Sequence, residues 1–203
     1  MLQIMCYCLS TPSHGWTLKP SASWDGLKDY EFEIPSYSNL EYVRDESCHS
    51  VNGWSTFLHD SPISFKSLMM PIVALSVMEA EFFATVLCVQ DMLYSMWVMN
   101  SLGLQVKLSM LLYVNNKGAH NMCHNWSVGG HTCHIKVKQH FLQDLKGFGL
   151  VHVVWKAGTD MLSNIFTKNL SGPLFNKHCQ HFVSSKHKHE DDMLSDSVEV
   201  ADL

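Results

Sequence analysis

The chain has 203 residues, 46% of them hydrophobic, and a formal charge of -5, which allows one sizeable core but hardly two. The negative balance excludes a broad basic field for nucleic acid, although the acid is concentrated after Glu190 and the rest is closer to neutral. Seven cysteines, odd in number and irregularly spaced, form no small-domain disulfide framework; reduced thiols in an intracellular protein, cytoplasmic or nuclear and not secreted, are expected.

In chain order, the opening MLQIMCYCLS is apolar but lacks a basic start and a cleavage site, so it reads as a core strand or helix rather than a signal. Tyr30 to Ser38 alternates weakly around Pro35 and predicts an entering or bulged strand. Gly53 to Leu58 and Ser61 to Lys66, joined by His59 and Asp60, predict a hairpin. From Ser76 to about Asn100 there is neither Gly nor Pro, and Ser76 with Glu79 three residues on makes a capping box, so a long helix starts there. Its apolar residues run nearly all the way round, which predicts a central, buried helix. Glu79, Glu81, Gln90 and Asp91 interrupt the greasy region from Pro71 to Met99, so no membrane span is expected.

Leu108 to Val114 predicts a strand ending at Asn115, and Val137, Phe141 and Leu145 share one face of a later helix. Val151 to Trp155 predicts a buried strand closing the sheet, followed by a final helix. After about Ser184 the chain is charged with little to bury, and residues 185–203 are expected to form a disordered acidic tail.

Six segments in this order resemble a known family: GWSTFL at 53–58, PISFKS at 62–67, VALSVMEAEF at 73–82, LYVNNKGA at 112–119, HIKVKQHF at 134–141 and NIFTKNL at 164–170. Together, over about residues 30 to 183, they resemble the ribonuclease H domain of copia-type LTR retrotransposon Pol polyproteins. The resemblance implies an α/β fold: a mixed five-stranded sheet, three antiparallel strands followed by parallel ones, flanked by helices. It implies a ribonuclease H-like domain over residues 30–184, with residues 1–29 a remnant of the connection to the reverse transcriptase.

The chemistry implied is hydrolysis of the RNA strand of an RNA/DNA hybrid by two Mg²⁺ ions held by carboxylates. Two such ions about 4 Å apart repel by roughly 17 kcal/mol at an effective dielectric of about 20, so anionic ligands have to offset that. Carried over residue by residue, the family's helix glutamate falls on Glu81, which is retained. Its three aspartates fall on Asn39, Asn115 and Asn164, where the shape is kept and the charge is gone. Glu41 shares a strand face with Asn39, but period-two alternation does not bring the two side chains to one point. Without the resemblance, Asn39 and Asn115 read as ordinary strand-end amides and Asn164 equally as a helix cap. Glu81 reads as a solvated edge or as a buried ligand with a raised pKa. Mg²⁺ is the ancestral cofactor, and none is expected to bind this chain.

Cys123, His124, His131, Cys133 and His134 crowd together as possible zinc ligands, but their spacing fits no standard pattern. His131 and Cys133, like Cys48 and His49, fall where the family has basic residues. Arg to His, Arg to Cys and Asp to Asn are each a single transition, as expected of a transposon copy decaying without selection for nuclease activity. Purifying selection in a comparison with intact sister copies would sink that reading. The remaining basic candidates for phosphate contacts are Lys117, Lys136, Lys138, Lys156 and Lys168, so weak hybrid binding is the most expected. The expected function is a degenerate ribonuclease H domain whose partners were an RNA/DNA hybrid and the reverse transcriptase of its own polyprotein. The alternative is a noncatalytic nucleic-acid or protein interaction module on the same fold.

Overall fold

The computed structural model describes residues 9–11, 14–16, 18, 24, 26, 29–42, 48–71, 73–124 and 133–185. Five strands form the central sheet: β3 (Ser36–Glu41), β4 (Val51–Leu58), β5 (Ser61–Met69), β7 (Met110–Val114) and β8 (Val151–Trp155), in the order β5-β4-β3-β7-β8. The first three pair antiparallel, whereas β7 runs parallel to both β3 and β8. The predicted mixed sheet is therefore the one observed. Two short strands, β2 (Glu31–Phe32) and β6 (Gln105–Val106), pair beside it. Tyr30 to Ser38 is thus not one strand: β2 and β3 are separated by residues 33–35, Pro35 among them, since proline has no N–H for a ladder.

Helix α1 (Val77–Ser101) starts where predicted. Ser76 accepts a hydrogen bond from the Glu79 amide at 3.1 Å, and the Glu79 carboxylate reaches back to the Leu75 amide at 2.9 Å, one residue beyond the usual reciprocal partner. Gly103 ends it at φ 76°, with the Leu104 amide bonded to the Met99 carbonyl at 3.1 Å; only glycine adopts this left-handed closure without a Cβ clash. Among the described residues α1 alone is long and apolar enough to cross a membrane, but 67% of its most apolar window is buried in the fold. The helix is not buried all round, because the sheet covers one side of it: Tyr94, Trp97 and Val98 remain exposed.

Helices α2 (Lys117–His124) and α3 (Cys133–Gly147) join α1 on one sheet face. There Phe82, Val86, Val89 and Met92 pack with Ile34, Trp54, Leu112, Val114, Leu142 and Val153 in the main core. On α3 the predicted stripe is only partly inside, since Leu145 is buried while Val137 is exposed. β8 is the sheet's edge, and its residues alternate, with His152 and Trp155 exposed; the burial expected throughout this strand is not found, because among the described residues no strand pairs beyond it.

The opposite face carries two 3-10 turns (Gly158–Asp160 and Leu162–Phe166) and helix α4 (Gly172–Cys179). Phe57, Leu162 and Phe182 form a smaller core there with Tyr37, Ile165 and Phe166. β1 (His14–Trp16) pairs antiparallel with β9 (Val183–Ser185), so a stretch of residues 1–29 is joined to the end of the folded region. Lys186 to Leu203, the rest of the expected tail, lie outside the described residues.

Candidate functional site

Asn39 lies near the end of β3, and Asn115 directly follows β7, the parallel neighbour. The Asn115 side-chain amide donates to Asn39 Oδ1 at 2.7 Å, across 76 residues of chain. Asn39 in turn donates through Nδ2 to the Thr167 hydroxyl. Thr167 donates to the backbone carbonyl of Asn164 at 3.4 Å. One hydrogen-bond chain thus joins Asn115, Asn39, Thr167 and Asn164. Every amide N–H donor in it is one that a carboxylate lacks.

Gly53 makes this closure possible. It faces Asn39 across the β3–β4 ladder, and a Cβ there would sit 2.6 Å from Thr167 Cγ2 and 2.9 Å from Phe166 Cβ. The turn can approach the sheet because that Cβ is missing. Above it, Phe166 stacks on Phe65 with centroids 5.4 Å apart and meets Phe182 edge-on at 5.2 Å. The side chain of Asn164 is turned toward the preceding 3-10 turn, where it donates to the Gly158 carbonyl.

Glu81 stands in the first turns of α1 and is buried. Burial pushes its pKa up to about 7, against the opposing pull of the Lys168 ammonium. Lys168 also donates to Asn39 Oδ1 at 3.4 Å, so the cation belongs to the site. The structure thus brings Asn39 and Asn115 into contact, links Glu81 to them through Lys168, and ties Asn164 in through its backbone. Glu41 closes β3 opposite Val51, one pleat beyond Asn39. Thr167 escapes the sequence reading, and Lys168 figures there only as a candidate phosphate contact, although they follow Asn164 by three and four residues in its motif.

Two Mg²⁺ ions do not fit this donor set. Two adjacent divalent ions need several anionic ligands to offset their repulsion, and the site offers one carboxylate, three neutral amides and a lysine. Of the crowded cysteines and histidines, Cys123 is buried in the main core, with its thiol pushed up to about 12 by burial. His131 and the side chains of His124, Cys133 and His134 lie outside the described residues.

The other basic candidates rest on aromatic rings. Lys117 lies 5.2 Å from the Trp155 centroid and Lys138 3.1 Å from that of Phe83. Lys156 lies over both Tyr113, at 4.5 Å, and Tyr37, at 5.0 Å. The Lys136 side chain is outside the described residues. Cys48, at φ 56°, and His49 precede β4, where a His49 ring nitrogen lies 2.7 Å from the Met70 carbonyl.

No protein-family model matches the chain. In sequence it is similar to the retrovirus-related Pol polyprotein from transposon RE1 of Arabidopsis thaliana, at 28% identity over 183 residues, covering 90% of this chain. It is similar also to that from transposon RE2 of the same plant, at 27% over 174 residues and 85% of this chain. The chain spans only 12% and 11% of the length of these two relatives. Among solved structures it is similar to LC11-RNase H1 isolated from compost, with a TM-score of 0.51, 12% identity and coverage of 72% of this chain and 98% of that one. The chain thus has the ribonuclease H fold, in a sequence similar to copia-type retrotransposon Pol polyproteins.

Proposed function

We propose that this chain is a degenerate ribonuclease H domain, ancestrally hydrolysing the RNA strand of RNA/DNA hybrids by two-metal catalysis and inactive in its present form. The hydrogen-bond chain from Asn115 through Asn39 and Thr167 to Asn164 carries the reading. Carboxylates at positions 39 and 115 would stand within hydrogen-bond distance of each other and repel without bound cations; the amides attract. Asn39 and Asn115 therefore bond each other directly in a site that does not require metal, Asn164 joins them only through its backbone carbonyl, and Glu81 is left as a buried acid rather than a ligand. The domain would act inside the cell, beside the reverse transcriptase of the same polyprotein, with weak, salt-sensitive affinity for hybrids.

The deciding experiment incubates labelled RNA/DNA hybrid and Mg²⁺ or Mn²⁺ with the wild type and with a triple variant carrying Asn39→Asp, Asn115→Asp and Asn164→Asp. Metal-dependent cleavage by the triple variant and none by the wild type is expected. Wild-type cleavage at a comparable rate overturns the inactive reading. Binding without cleavage by both proteins favours a noncatalytic module.

A further inference from the structure

The sheet face that carries Asn39 and Asn115 continues, two residues back along each strand, into a pair of tyrosines. Tyr37 and Tyr113 are register partners on β3 and β7, and their rings stack with centroids 4.8 Å apart and planes 24° from parallel. Beside them opens a cleft of about 310 Å³, walled by both tyrosines, Phe57, Leu111 and Leu162, with Asp60 at its rim. Alternation places this pair about 7 Å from the asparagines along the strands. Lys156 stands over both tyrosine rings.

We propose that this cleft is a binding site for single-stranded nucleic acid, taking one unstacked base that carries an exocyclic amino group. Aromatic faces bind bases irrespective of sequence, and a neighbouring lysine supplies the charge that follows a phosphate backbone. The partly exposed Leu111 leaves the cleft open to solvent at its mouth. The rim sets the preference. His59 and His181 also line the cleft; of its two carboxylates, Glu33 is already engaged by Lys107 at 2.7 Å, which leaves Asp60 to accept from the ligand. An ionised carboxylate only accepts hydrogen bonds, which selects the amino edge of adenine or cytosine over the carbonyl-rich edge of uracil. An intact hybrid, whose bases are stacked and paired, offers the cleft nothing to insert, which separates this site from the ancestral cleavage site.

The test is fluorescence anisotropy of end-labelled oligo(A), oligo(C) and oligo(U) with the full chain in EDTA, comparing wild type, Tyr113→Ala and Leu111→Glu. Oligo(A) and oligo(C) are expected to bind at least about threefold tighter than oligo(U), and each variant to lose about tenfold of that affinity. Leu111 is a surface position, so Leu111→Glu decides the matter if Tyr113→Ala fails to fold. Equal binding of all three oligomers, no binding at all, or undiminished affinity in Leu111→Glu overturns the proposal. None of these results bears on whether the triple aspartate variant cleaves hybrids, so the two readings fail separately.

Discussion

At the scale of single residues, the site holds two ionisable side chains, Glu81 and Lys168, among three neutral amides. Glu81 ionises near pH 7 in the folded chain, with burial as the dominant cause, against an ordinary value of 4.5. Below pH 4.5 both folded and unfolded chains hold the proton, and Glu81 has no effect on stability. Between 4.5 and 7 the unfolded chain releases it first, so stability falls as pH rises, by about 3 kcal/mol once above 7. Glu81→Gln should therefore be more stable than wild type at pH 8 by an amount of that order, and nearly equal to it at pH 4. Urea unfolding at the two pH values measures this, and a gap independent of pH would show that Glu81 is not buried as an acid. Asn115 and Asn39 look unremarkable in the sequence unless the family resemblance is laid over it. Their meaning depends on the 2.7 Å contact between them, which joins residues far apart in the chain.

At the scale of elements, local signals placed the strands and α1 well and the packed turn poorly. The Ser76 cap, the uninterrupted stretch to Asn100 and the His59–Asp60 hairpin are all short-range patterns, and each is present. The 3-10 turn of Leu162–Phe166 has no periodicity, and it is held by contacts across the sheet. Gly53 is its seat. Gly53→Ala forces Thr167 and Phe166 away from β4, and a loss of about 1–3 kcal/mol is expected in chemical denaturation. Stability unchanged within error would mean that the turn does not rest on Gly53. The Ser76 cap calls for a similar check: Ser76→Ala should cost about 1 kcal/mol, with the loss read in the same assay.

At the scale of the whole molecule, the smaller core ties the chain's described ends to the site. Phe182 touches Phe57, Phe65 and Phe166, Trp16 of β1 meets Phe65 edge-on at 5.5 Å, and β9 begins one residue after Phe182. Phe182→Ala should cost about 3–5 kcal/mol. Because the turn rests on this cluster, hydrogen exchange at the Thr167 and Lys168 amides, both bonded to the Asn164 carbonyl, should accelerate before global unfolding. Exchange at those amides only through global unfolding would show that the cluster does not clamp the turn.

The sequence by itself determined the order of strands and helices and the start of α1, because these depend on periodicity and capping residues along the chain; the mixed sheet and the reading of Glu81 beside three amides came only through the family resemblance that its motifs carry. Only the tertiary structure decided that Thr167 and Lys168 join the site, that lysines lie over Trp155, Phe83 and the Tyr37–Tyr113 pair, and that β1 pairs with β9. Such contacts unite groups as far apart in the chain as His14 and Ser185, which pair across β1 and β9. Their energies come from burial and from hydrogen bonds made once the sheet is closed, and no local pattern in the chain records them.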